Sequence, residues 1–359
     1  MNETGVIVIG SGPAGVAAAE SFRARRDDVP VRILSADIDL PYFRPPLSKD
    51  FLRGETDDVG MHAPEWFTEQ SVELLTETPV DRIDLQNRVV TAAGQRFPYT
   101  DLIVACGASP VPPPVPGGER ALVLRSQRDA FQLRDVAGAA GSAVVIGAGF
   151  IGCEAAASLA MQGLSVTLVA PDEVPQRKRL GAEAGRRLMA LVERAGVRFV
   201  GGPKVLEITA DSVVLDNGVT VHTDLILAAT GIAPNSAIAE AAGLEVQQSR
   251  IVVDEGMRTA HPGVYAAGDV ALAVNATAGR PIAVEHWQDA TNQGAVAGGR
   301  AAGADTMWSE IPGFWTSIGH ETVKYHAWGD GYDHSRLVDH GDGFTVWYEA
   351  DDIAVGVLT

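Results

Sequence analysis

The sequence predicts an α/β fold with two Rossmann-like domains, one inserted in the other, followed by a small C-terminal α+β domain. An apolar run at residues 6–9 leads into a G-x-G-x-x-G fingerprint at 10–15. The same pattern, an apolar run and then a glycine fingerprint, recurs at 144–152. A proline-rich stretch at 110–116 lies between the two and indicates a domain boundary.

The composition limits the class of protein. A chain of 359 residues is too long for one compact core and suits two or three domains. No apolar run reaches the roughly 18 residues of a membrane span, and the N-terminus lacks the basic region of a signal peptide. The net charge of −18 disfavours nucleic acid and anionic membranes as partners. The only cysteines, Cys106 and Cys153, indicate a reducing cytoplasm, without disulfides or a metal site.

The first unit reads as a βαβ arrangement. Its predicted elements are a strand at 6–9, a helix over about 14–25, and strands at 31–35, 88–92 and 102–106. Asp37 follows the third of these elements, where a carboxylate can bind the ribose of a dinucleotide, although the connection is longer than usual.

The glycines of both fingerprints have a physical reason. The first allows a tight turn, the second lets a pyrophosphate approach the backbone, and the third lets the helix pack on the strand. They are Gly10, Gly12 and Gly15 in the first fingerprint and Gly147, Gly149 and Gly152 in the second. Two such sites in one chain predict two dinucleotides with electron transfer between them.

The second unit repeats the pattern before the chain returns to the first. Its predicted elements are a strand from 143, a helix to about 162, and strands at 165–169, 205–208, 212–215 and 225–229. We interpret 205–208 and 212–215, with a turn at Asp216-Asn217-Gly218, as a hairpin. The last segment holds four of the six tryptophans and alternates as strands do. The predicted domains are 1–109 with 236–305, then 110–235, then 306–359.

A further motif, Val264–Asp269, reads as a buried strand that ends in Gly-Asp. A carboxylate at the carboxyl edge of a strand can accept a hydrogen bond from a ribityl hydroxyl. The alternative is a turn or helix-capping aspartate, which is common in such positions. Its presence together with the first fingerprint favours the binding role.

These residues and three further segments resemble the FAD-dependent ferredoxin reductases of oxygenase systems, the putidaredoxin reductase group. The match covers about residues 5–305. The matching segments are Pro41–Lys49 (PYFRPPLSK), Val264–Asp269, Glu285-His286-Trp287 with Ala290, Gln293 and Gly294, and the strand ends Ala105-Cys106-Gly107 and Ala229-Thr230-Gly231.

The resemblance implies a glutathione-reductase-like fold with FAD on the first fingerprint and NADH or NADPH on the second. It implies a ferredoxin as electron acceptor, which would feed a cytochrome P450 or another oxygenase. The implied catalytic residues are Lys49, Glu154 and Trp287. The implied cofactor-binding residues are Gly10, Gly12, Pro13, Ala14, Gly15, Asp37, Arg44, Lys49, Val80, Ala105, Gly107, Arg125, Gly268, Asp269, Glu285, His286, Trp287, Gly147, Gly149, Phe150, Ile151, Gly152, Glu154, Arg177 and Gly231.

Lys49 and Glu154 carry the chemistry that the resemblance implies. A cation near the flavin ring would stabilise charge on the reduced cofactor, and Glu154, two residues past Gly152, could pair with that cation. The alternative is that both are surface charges, as residues of these types usually are. Trp287 is placed by the resemblance at the flavin ring, near the electron exit.

The nucleotide preference stays open. Ala170 stands where many NADH sites carry an acid. Asp172 and Glu173 would disfavour the 2′-phosphate of NADPH, whereas the basic run from Arg177 to Arg179 would favour it.

The last segment departs from the family. Phe314–Ile318 reads FWTSI where members usually read FWSDQ, and the chain stops at Thr359, before members usually end. The resemblance therefore implies an interface domain that is incomplete at Thr359. Because ferredoxins are acidic, docking would need a local basic patch, for which we consider Arg44, Arg53 and Arg300.

Three other functions remain as alternatives. A disulfide reductase or thiol-based oxidase needs a thiol at the flavin, but residues 40–49 contain no cysteine, and we expect Cys106 and Cys153 to be packing residues. A monodehydroascorbate or quinone reductase could use the same scaffold. A partner-binding flavoprotein of the apoptosis-inducing-factor type is the third. The histidines at 320, 326, 334 and 340 show no metal-binding pattern.

Overall fold

The computed structural model describes residues 4–329 and 331–359. Residues 1–3, where we expected no targeting signal, lie outside the described residues. The helices are α1 (Pro13–Arg23), α2 (Pro64–Glu69), α3 (Gln127–Ala139), α4 (Phe150–Met161), α5 (Arg177–Arg194), α6 (Ala237–Ala241) and α7 (Trp287–Ala301), with 3-10 turns at Pro45–Ser48 and Gly118–Arg120.

The strands are β1 (Gly5–Ile9), β2 (Val31–Leu34), β3 (Val72–Leu75), β4 (Val80–Asp84), β5 (Val89–Ala92), β6 (Gln95–Val104), β7 (Ala108–Pro110), β8 (Ser142–Ile146), β9 (Ser165–Ala170), β10 (Arg198–Gly201), β11 (Val205–Ile208), β12 (Ser212–Leu215), β13 (Thr220–His222), β14 (Leu225–Ala228), β15 (Ile232–Pro234), β16 (Val246–Gln247), β17 (Arg250–Val253), β18 (Val264–Ala266), β19 (Ala271–Asn275), β20 (Arg280–Ala283), β21 (Gly313–Ile318), β22 (Glu321–Ala327), β23 (His334–Asp339), β24 (Phe344–Ala350) and β25 (Ile353–Leu358).

The chain forms two compact units. The first comprises residues 1–43, 60–109 and 233–313, and the second comprises 44–59, 110–232 and 314–359. Residues 44–59, which we expected in the FAD-binding domain, thus pack with the second unit. The division into three domains by function stays a prediction, because these units are defined by packing alone.

The first unit is built on a sheet with the strand order β3-β2-β1-β6-β5-β4. Strands β3, β2, β1 and β6 run parallel, and Val8 of β1 lies beside Ile33 and Ile103. β6 is longer than predicted because its first half pairs with β5 and its second half pairs in parallel with β18. The carboxyl ends of β1, β2, β6 and β18 therefore meet at one edge, which is where an α/β sheet binds ligands.

Helices α1 and α7 of the first unit pack closely against each other. A Cβ atom at Gly294 of α7 would lie 2.1 Å from the carbonyl oxygen of Ala14 in α1, and one at Gly298 would lie 2.0 Å from that of Ala18. Only glycine allows the two helix backbones to approach this far. α1 ends at Arg23, two residues before the predicted end, where Arg25 and Arg26 turn back to bond the carbonyl of Phe22.

The second unit contains a four-stranded parallel sheet of order β10-β9-β8-β14 and a three-stranded antiparallel sheet of order β11-β12-β13. Apolar residues of both sheets share one core, which includes Val144, Ile146, Val213, Leu215 and Ile226.

The hairpin was predicted in this unit with its turn at the wrong place. β11 and β12 do pair, with Val205 opposite Leu215, but their connection lies at 209–211. The turn at 216–218 leads instead from β12 to β13, a short strand whose exposed residues carried too little apolar pattern to be predicted.

Five strands make up the last segment of the second unit, in the order β21-β22-β25-β24-β23. The alternating pattern predicted these strands, but residues 306–329 and 331–359 contain no helix, so the α+β prediction for this segment is not matched by the structure. Tyr348 of β24 is buried, and its hydroxyl donates to the carbonyl oxygen of Leu180 at 3.0 Å. Gly181 next to it has φ 82°, so α5 is kinked there.

Candidate dinucleotide-binding sites

The first fingerprint follows β1 directly, and its backbone requires glycine. Gly10 has φ 104°, and a Cβ atom there would lie 2.4 Å from the carbonyl oxygen of Ala105. A Cβ atom at Gly15 would lie 1.9 Å from the carbonyl oxygen of Gly10. Both distances are far below any van der Waals contact, so the turn and the close packing of α1 exist only with glycine.

The start of α1 leaves its backbone donors free for an anion. Gly12 is the N-cap in extended conformation, Pro13 occupies the first helical position, and no side chain caps the helix. The first turn carries no acidic residue. The first two residues of the helix, Pro13 and Ala14, have small side chains and are buried. This arrangement suits a pyrophosphate.

The loop after β2 holds Asp37 at the same edge of the sheet. Asp37 is half-buried, and its carboxylate accepts from the hydroxyl of Tyr42 at 2.9 Å and from the backbone N–H of Asp39 at 3.2 Å. The hydroxyls of Ser11 and Ser35 lie 2.7 Å apart and join the fingerprint to this loop. The orientation of the Asp37 carboxylate is thus fixed by two hydrogen bonds, and its contact with a ribose stays a prediction.

A buried polar group lies beside Asp269. The backbone N–H of Gly268 donates to Oε1 of Gln293 at 2.9 Å. Gln293 is 0% exposed, and its Nε2 has no hydrogen-bond partner. A buried amide donor without a partner is costly, and a polar ligand chain, such as the ribityl chain of FAD, would satisfy it. The first unit therefore fits the cofactor that the resemblance implies.

The remaining predicted residues of the first unit lie on or near the sheet. Val80 opens β4, Ala105 donates from its backbone to Ile9, and Gly107 has φ 64°. Glu285 forms an ion pair with Arg250.

His286 caps α7 in extended conformation, and Trp287 begins that helix. The ring of Trp287 lies 5.4 Å from that of Phe43, which is 41% exposed. Sequence reasoning missed Phe43, although it belongs to the PYFRPPLSK segment.

The second fingerprint has the same backbone as the first. Gly147 has φ 105°, and a Cβ atom there would lie 2.3 Å from the carbonyl oxygen of Ala229. A Cβ atom at Gly152 would lie 1.9 Å from that of Gly147. Gly149 is the N-cap of α4, again without a side-chain cap. The second unit therefore also offers a free helix start to a pyrophosphate.

The predicted pair of Lys49 and Glu154 is present in the second unit. Nζ of Lys49 lies 2.8 Å from Oε2 of Glu154, and both residues are buried. The hydroxyls of Ser48 and Thr316 donate to the same carboxylate, at 2.5 and 2.6 Å. The surface-charge alternative is wrong for both residues. Ser48 and Thr316 were not predicted as site residues. The one signal for Thr316 was that its segment departs from the family pattern.

The other predicted residues of the second unit surround the fingerprint. Phe150 is half-buried, and Ile151 is 40% exposed on the first turn of α4. Gly231 has φ 109° with no heavy atom within 4 Å of a Cβ atom built there. Arg125 precedes the capping box of α3 and donates from its backbone to Asp129. Arg44 precedes the 3-10 turn that carries Ser48.

The loop after β9 is where the adenosine end of a nucleotide is predicted to bind in the second unit. Ala170 is buried at the end of that strand, and its carbonyl oxygen accepts from Gly202 at 3.0 Å. Nη1 of Arg177 lies 2.5 Å from Oε2 of Glu173, and both side chains are exposed. Glu173 of the loop and Arg177 at the start of α5 therefore already pair with each other.

Cys153 is a buried packing residue, as predicted, whereas Cys106 is only half-buried. Burial raises the pKa of the Cys153 thiol to about 12, and the nearby charge of Glu154 adds to the shift. Burial also raises the pKa of Cys106 to about 12, although its own backbone N–H opposes this. The thiol of Cys106 donates to the carbonyl oxygen of Asn235. Thiols with such a pKa are neutral and poor nucleophiles at neutral pH.

The basic patch proposed for docking is not supported. The side chains of Arg53 and Arg300 are each only 13% exposed. Arg53 pairs with Asp50 and Glu55, and Arg300 pairs with Asp305. The prediction considered each arginine singly and did not take into account the acidic residues that pair with it.

Among residues 4–329 and 331–359, no helix has the length and apolarity to cross a membrane. In the same residues no group of three or more His, Cys, Asp or Glu side chains is arranged to hold a metal ion.

Comparisons with known proteins agree with this geometry. Residues 4–294 match the family described as pyridine nucleotide-disulphide oxidoreductase. The ferredoxin–NAD(+) reductase component of the anthranilate 1,2-dioxygenase system from Burkholderia cepacia is 34% identical over 320 residues, which cover 86% of this chain and 78% of that protein. Apoptosis-inducing factor 3 from Mus musculus is 30% identical over 372 residues, which cover 100% of this chain but only 61% of that relative.

Among solved structures, the ferredoxin reductase for the CYP199A2 system from Rhodopseudomonas palustris has a TM-score of 0.93 at 29% identity. The match covers 98% of this chain and 90% of that chain.

Proposed function

Because this chain belongs to the pyridine nucleotide-disulphide oxidoreductase family, we propose that it is an FAD-dependent reductase that takes a hydride from NADH or NADPH and passes single electrons to a ferredoxin. The relative from Burkholderia cepacia and the structure from Rhodopseudomonas palustris, both ferredoxin reductases, support this acceptor. The ferredoxin would feed a cytochrome P450 or another oxygenase. The proposed location is the cytoplasm, which rests on the cysteine content.

One observation carries the proposal: a buried Lys49–Glu154 pair accompanies two glycine cradles of equal geometry, while burial raises the pKa of both thiols to about 12. Two cradles provide for a donor and an acceptor of electrons. The inert thiols leave no protein disulfide to receive those electrons. An external carrier is therefore the acceptor that fits best.

The residues of the first unit would hold FAD by three contacts. Gly10, Gly12 and the start of α1 would bind its pyrophosphate, Asp37 its adenosine ribose, and Asp269 with Gln293 its ribityl chain. When bound, FAD supplies a centre that accepts two electrons as hydride and releases them one at a time.

The residues of the second unit would bind and orient the nicotinamide nucleotide. The start of α4 would bind its pyrophosphate, and the loop with Glu173 and Arg177 would meet the adenosine ribose. The ammonium group of Lys49, held by Glu154, would place positive charge where negative charge develops during hydride transfer. Orientation and electrostatics are therefore the contribution of this chain.

A disulfide reductase is disfavoured by the same cysteines, because a thiol with a pKa near 12 is not a nucleophile at neutral pH. A flavoprotein that acts by binding partners is the second candidate, since apoptosis-inducing factor 3 is similar over the whole chain. The two candidates differ in turnover, which can be measured.

The experiment is anaerobic stopped-flow reduction of the purified, FAD-loaded protein by NADH and by NADPH, followed by mixing with a ferredoxin from an oxygenase system. We expect rapid bleaching of the flavin, then its reoxidation as the ferredoxin is reduced. A sample treated with a thiol alkylator serves as the control and should behave in the same way.

Other outcomes would overturn the proposal in distinct ways. A long-lived charge-transfer band with negligible reoxidation would favour the partner-binding flavoprotein. Reoxidation by a quinone or monodehydroascorbate, but not by ferredoxin, would favour that reductase class. Loss of turnover after alkylation would restore the thiol mechanism.

A further inference from the structure

Thr316 of β21 belongs to a carboxylate-centred network that no motif predicted. The residue is 0% exposed, and its hydroxyl donates to Oε1 of Glu154 at 2.6 Å. The other oxygen, Oε2, accepts from Ser48 and pairs with Lys49. Three separate stretches of the second unit therefore meet at one buried carboxylate, with a donor on each oxygen.

The strand and the helix match in spacing. Phe314 and Thr316 lie on the same face of β21, two residues or about 6.6 Å apart. Phe150 and Glu154 lie on the same face of α4, four residues or about 6 Å apart. The rings of Phe314 and Phe150 have centroids 4.3 Å apart. β21 thus contacts the fingerprint helix at two consecutive points, one apolar and one polar.

We propose that Thr316 is a positioning residue, which fixes the carboxylate of Glu154 so that Oε2 stays on Lys49. This inference rests on the proposed function. The terminal torsion of a glutamate is broad and roughly two-fold, so hydrogen bonds rather than intrinsic preference decide its orientation. Without the Thr316 hydroxyl, Oε1 becomes a buried acceptor without a partner, and the carboxylate is held only through Oε2, by Ser48 and Lys49, so its orientation is less strictly fixed.

Two variants separate the hydroxyl from the side-chain volume. Thr316→Val removes the hydroxyl and keeps the shape, whereas Thr316→Ser keeps the hydroxyl and loses a methyl group. Ser317→Ala is the matched control, because Ser317 is the next residue of β21, lies on the opposite face and bonds only to Thr322 in the described network. All three are made in the FAD-loaded protein.

The first readout is independent of activity. Lys49 is labelled with a small amine-reactive reagent, and its labelling rate is followed by mass spectrometry of the digested protein. We expect Thr316→Val to raise that rate severalfold over the wild type, because the ammonium group loses its fixed carboxylate partner and keeps its bond to the carbonyl oxygen of Pro45 at 2.8 Å. Thr316→Ser and Ser317→Ala should leave the rate within about twofold of the wild type.

The second readout is the rate of flavin bleaching at saturating nucleotide, together with the nucleotide concentration that gives half of that rate. We expect Thr316→Val to slow the limiting rate by about tenfold, with the half-saturating concentration almost unchanged, because a hydrogen bond to a charged group is lost away from the nucleotide. Thr316→Ser should recover most of the rate.

Two outcomes would overturn the inference. Equal labelling and equal limiting rates in Thr316→Val and the wild type would show that the hydroxyl positions nothing. Equal losses in Thr316→Val and Thr316→Ser would show that the methyl group, and so packing, is what matters. Failure of the proposed function would look different: the wild type itself would not be bleached by either nucleotide, while the labelling comparison would still test Thr316.

Discussion

The two glycine fingerprints share one backbone and differ in the side chains around it. Gly10 and Gly147 have φ of 104° and 105°, and the third glycine of each lies against the carbonyl of the first, with a Cβ distance of 1.9 Å in both. Both helices start without a side-chain cap. The backbone thus specifies a pyrophosphate in both places and does not distinguish the two dinucleotides.

The side chains make the distinction. The strand after the first fingerprint is followed by Asp37, whereas Ala170 ends the corresponding strand of the second. Two residues past the third glycine, the first helix carries Ala17 and the second carries Glu154. The first unit therefore has an acid after its second strand and an apolar helix, and the second has a buried charge on its helix. Under the proposed function, one repeated fold element would bind two ligands of one class and give them different tasks.

The largest effect should come from breaking one cradle at a time. Gly147→Val places side-chain atoms against the carbonyl of Ala229 and forces a β-branched residue to φ 105°. We expect nucleotide affinity to fall at least about a hundredfold, from steric clash and strain together, while FAD remains bound. Absorbance of the purified protein measures bound flavin, and titration with NADH measures nucleotide affinity.

Gly10→Val is the matched counterpart. It should purify without flavin, because its Cβ meets the carbonyl of Ala105 in the same way. If Gly147→Val lost flavin while Gly10→Val kept it, the assignment of the two sites would have to be exchanged.

A second difference lies in α7, the helix that packs on the first fingerprint helix. Its first turn carries Asp289, which is 2% exposed and accepts from the backbone N–H of Gly313 at 3.2 Å. Burial raises the pKa of Asp289 to about 7; the Gly313 N–H opposes this shift and the charge of Glu310 adds to it. The folded protein therefore binds the proton of the Asp289 carboxyl more tightly than the unfolded chain does. The stability that this bound proton contributes is lost as the pH rises through about 7.

Asp289→Asn should remove this pH dependence. At about pH 8 we expect the variant to be more stable than the wild type by roughly 2–4 kcal/mol, and at about pH 4 to be equal to it. Urea denaturation at both pH values gives the two free energies of unfolding. Asp84→Asn is the control, because a hydrogen bond from Asn87 lowers the pKa of that exposed carboxyl and so reverses the sign. If the free energies of unfolding of the wild type and Asp289→Asn differed by the same amount at both pH values, the predicted role of Asp289 would be wrong.

Local sequence signals predicted most of the fold. Each fingerprint combines an apolar strand, glycines with a steric reason and an apolar helix, so β1, α1, β8 and α4 could be found from short windows. The family resemblance read from the motifs is confirmed by the match of residues 4–294.

What could not be predicted depends on which residues meet in the folded chain, whether they are near or far in sequence. Thr316 reaches Glu154 across 162 positions, and no periodicity marks that contact. Arg300 looked available for docking because its pairing with Asp305 depends on the local fold. β13 was missed because two of its three residues are exposed, so its strand pattern has no apolar face to reveal it. In each case tertiary structure, rather than local propensity, decides the outcome.

The smallest effect tests the side chains at the adenosine end of the second site. Glu173 and Arg177 form an exposed ion pair at 2.5 Å, and Ala170 supplies no acid for the 2′-hydroxyl. Each charge weakens the effect of the other on a 2′-phosphate, so we expect the wild type to discriminate only weakly between NADH and NADPH. Arg177→Ala leaves Glu173 to repel the phosphate, and Glu173→Gln leaves Arg177 to attract it.

The two variants should therefore shift the preference in opposite directions. We expect the ratio of kcat/KM for NADPH to that for NADH to fall about fivefold in Arg177→Ala and to rise about fivefold in Glu173→Gln, as exposed charges contribute about 1 kcal/mol. Both shifts should shrink at high salt, because exposed charges are screened. Steady-state dye reduction with each nucleotide gives the ratios. Shifts of the same sign, or shifts insensitive to salt, would place the 2′ end of the nucleotide away from this pair.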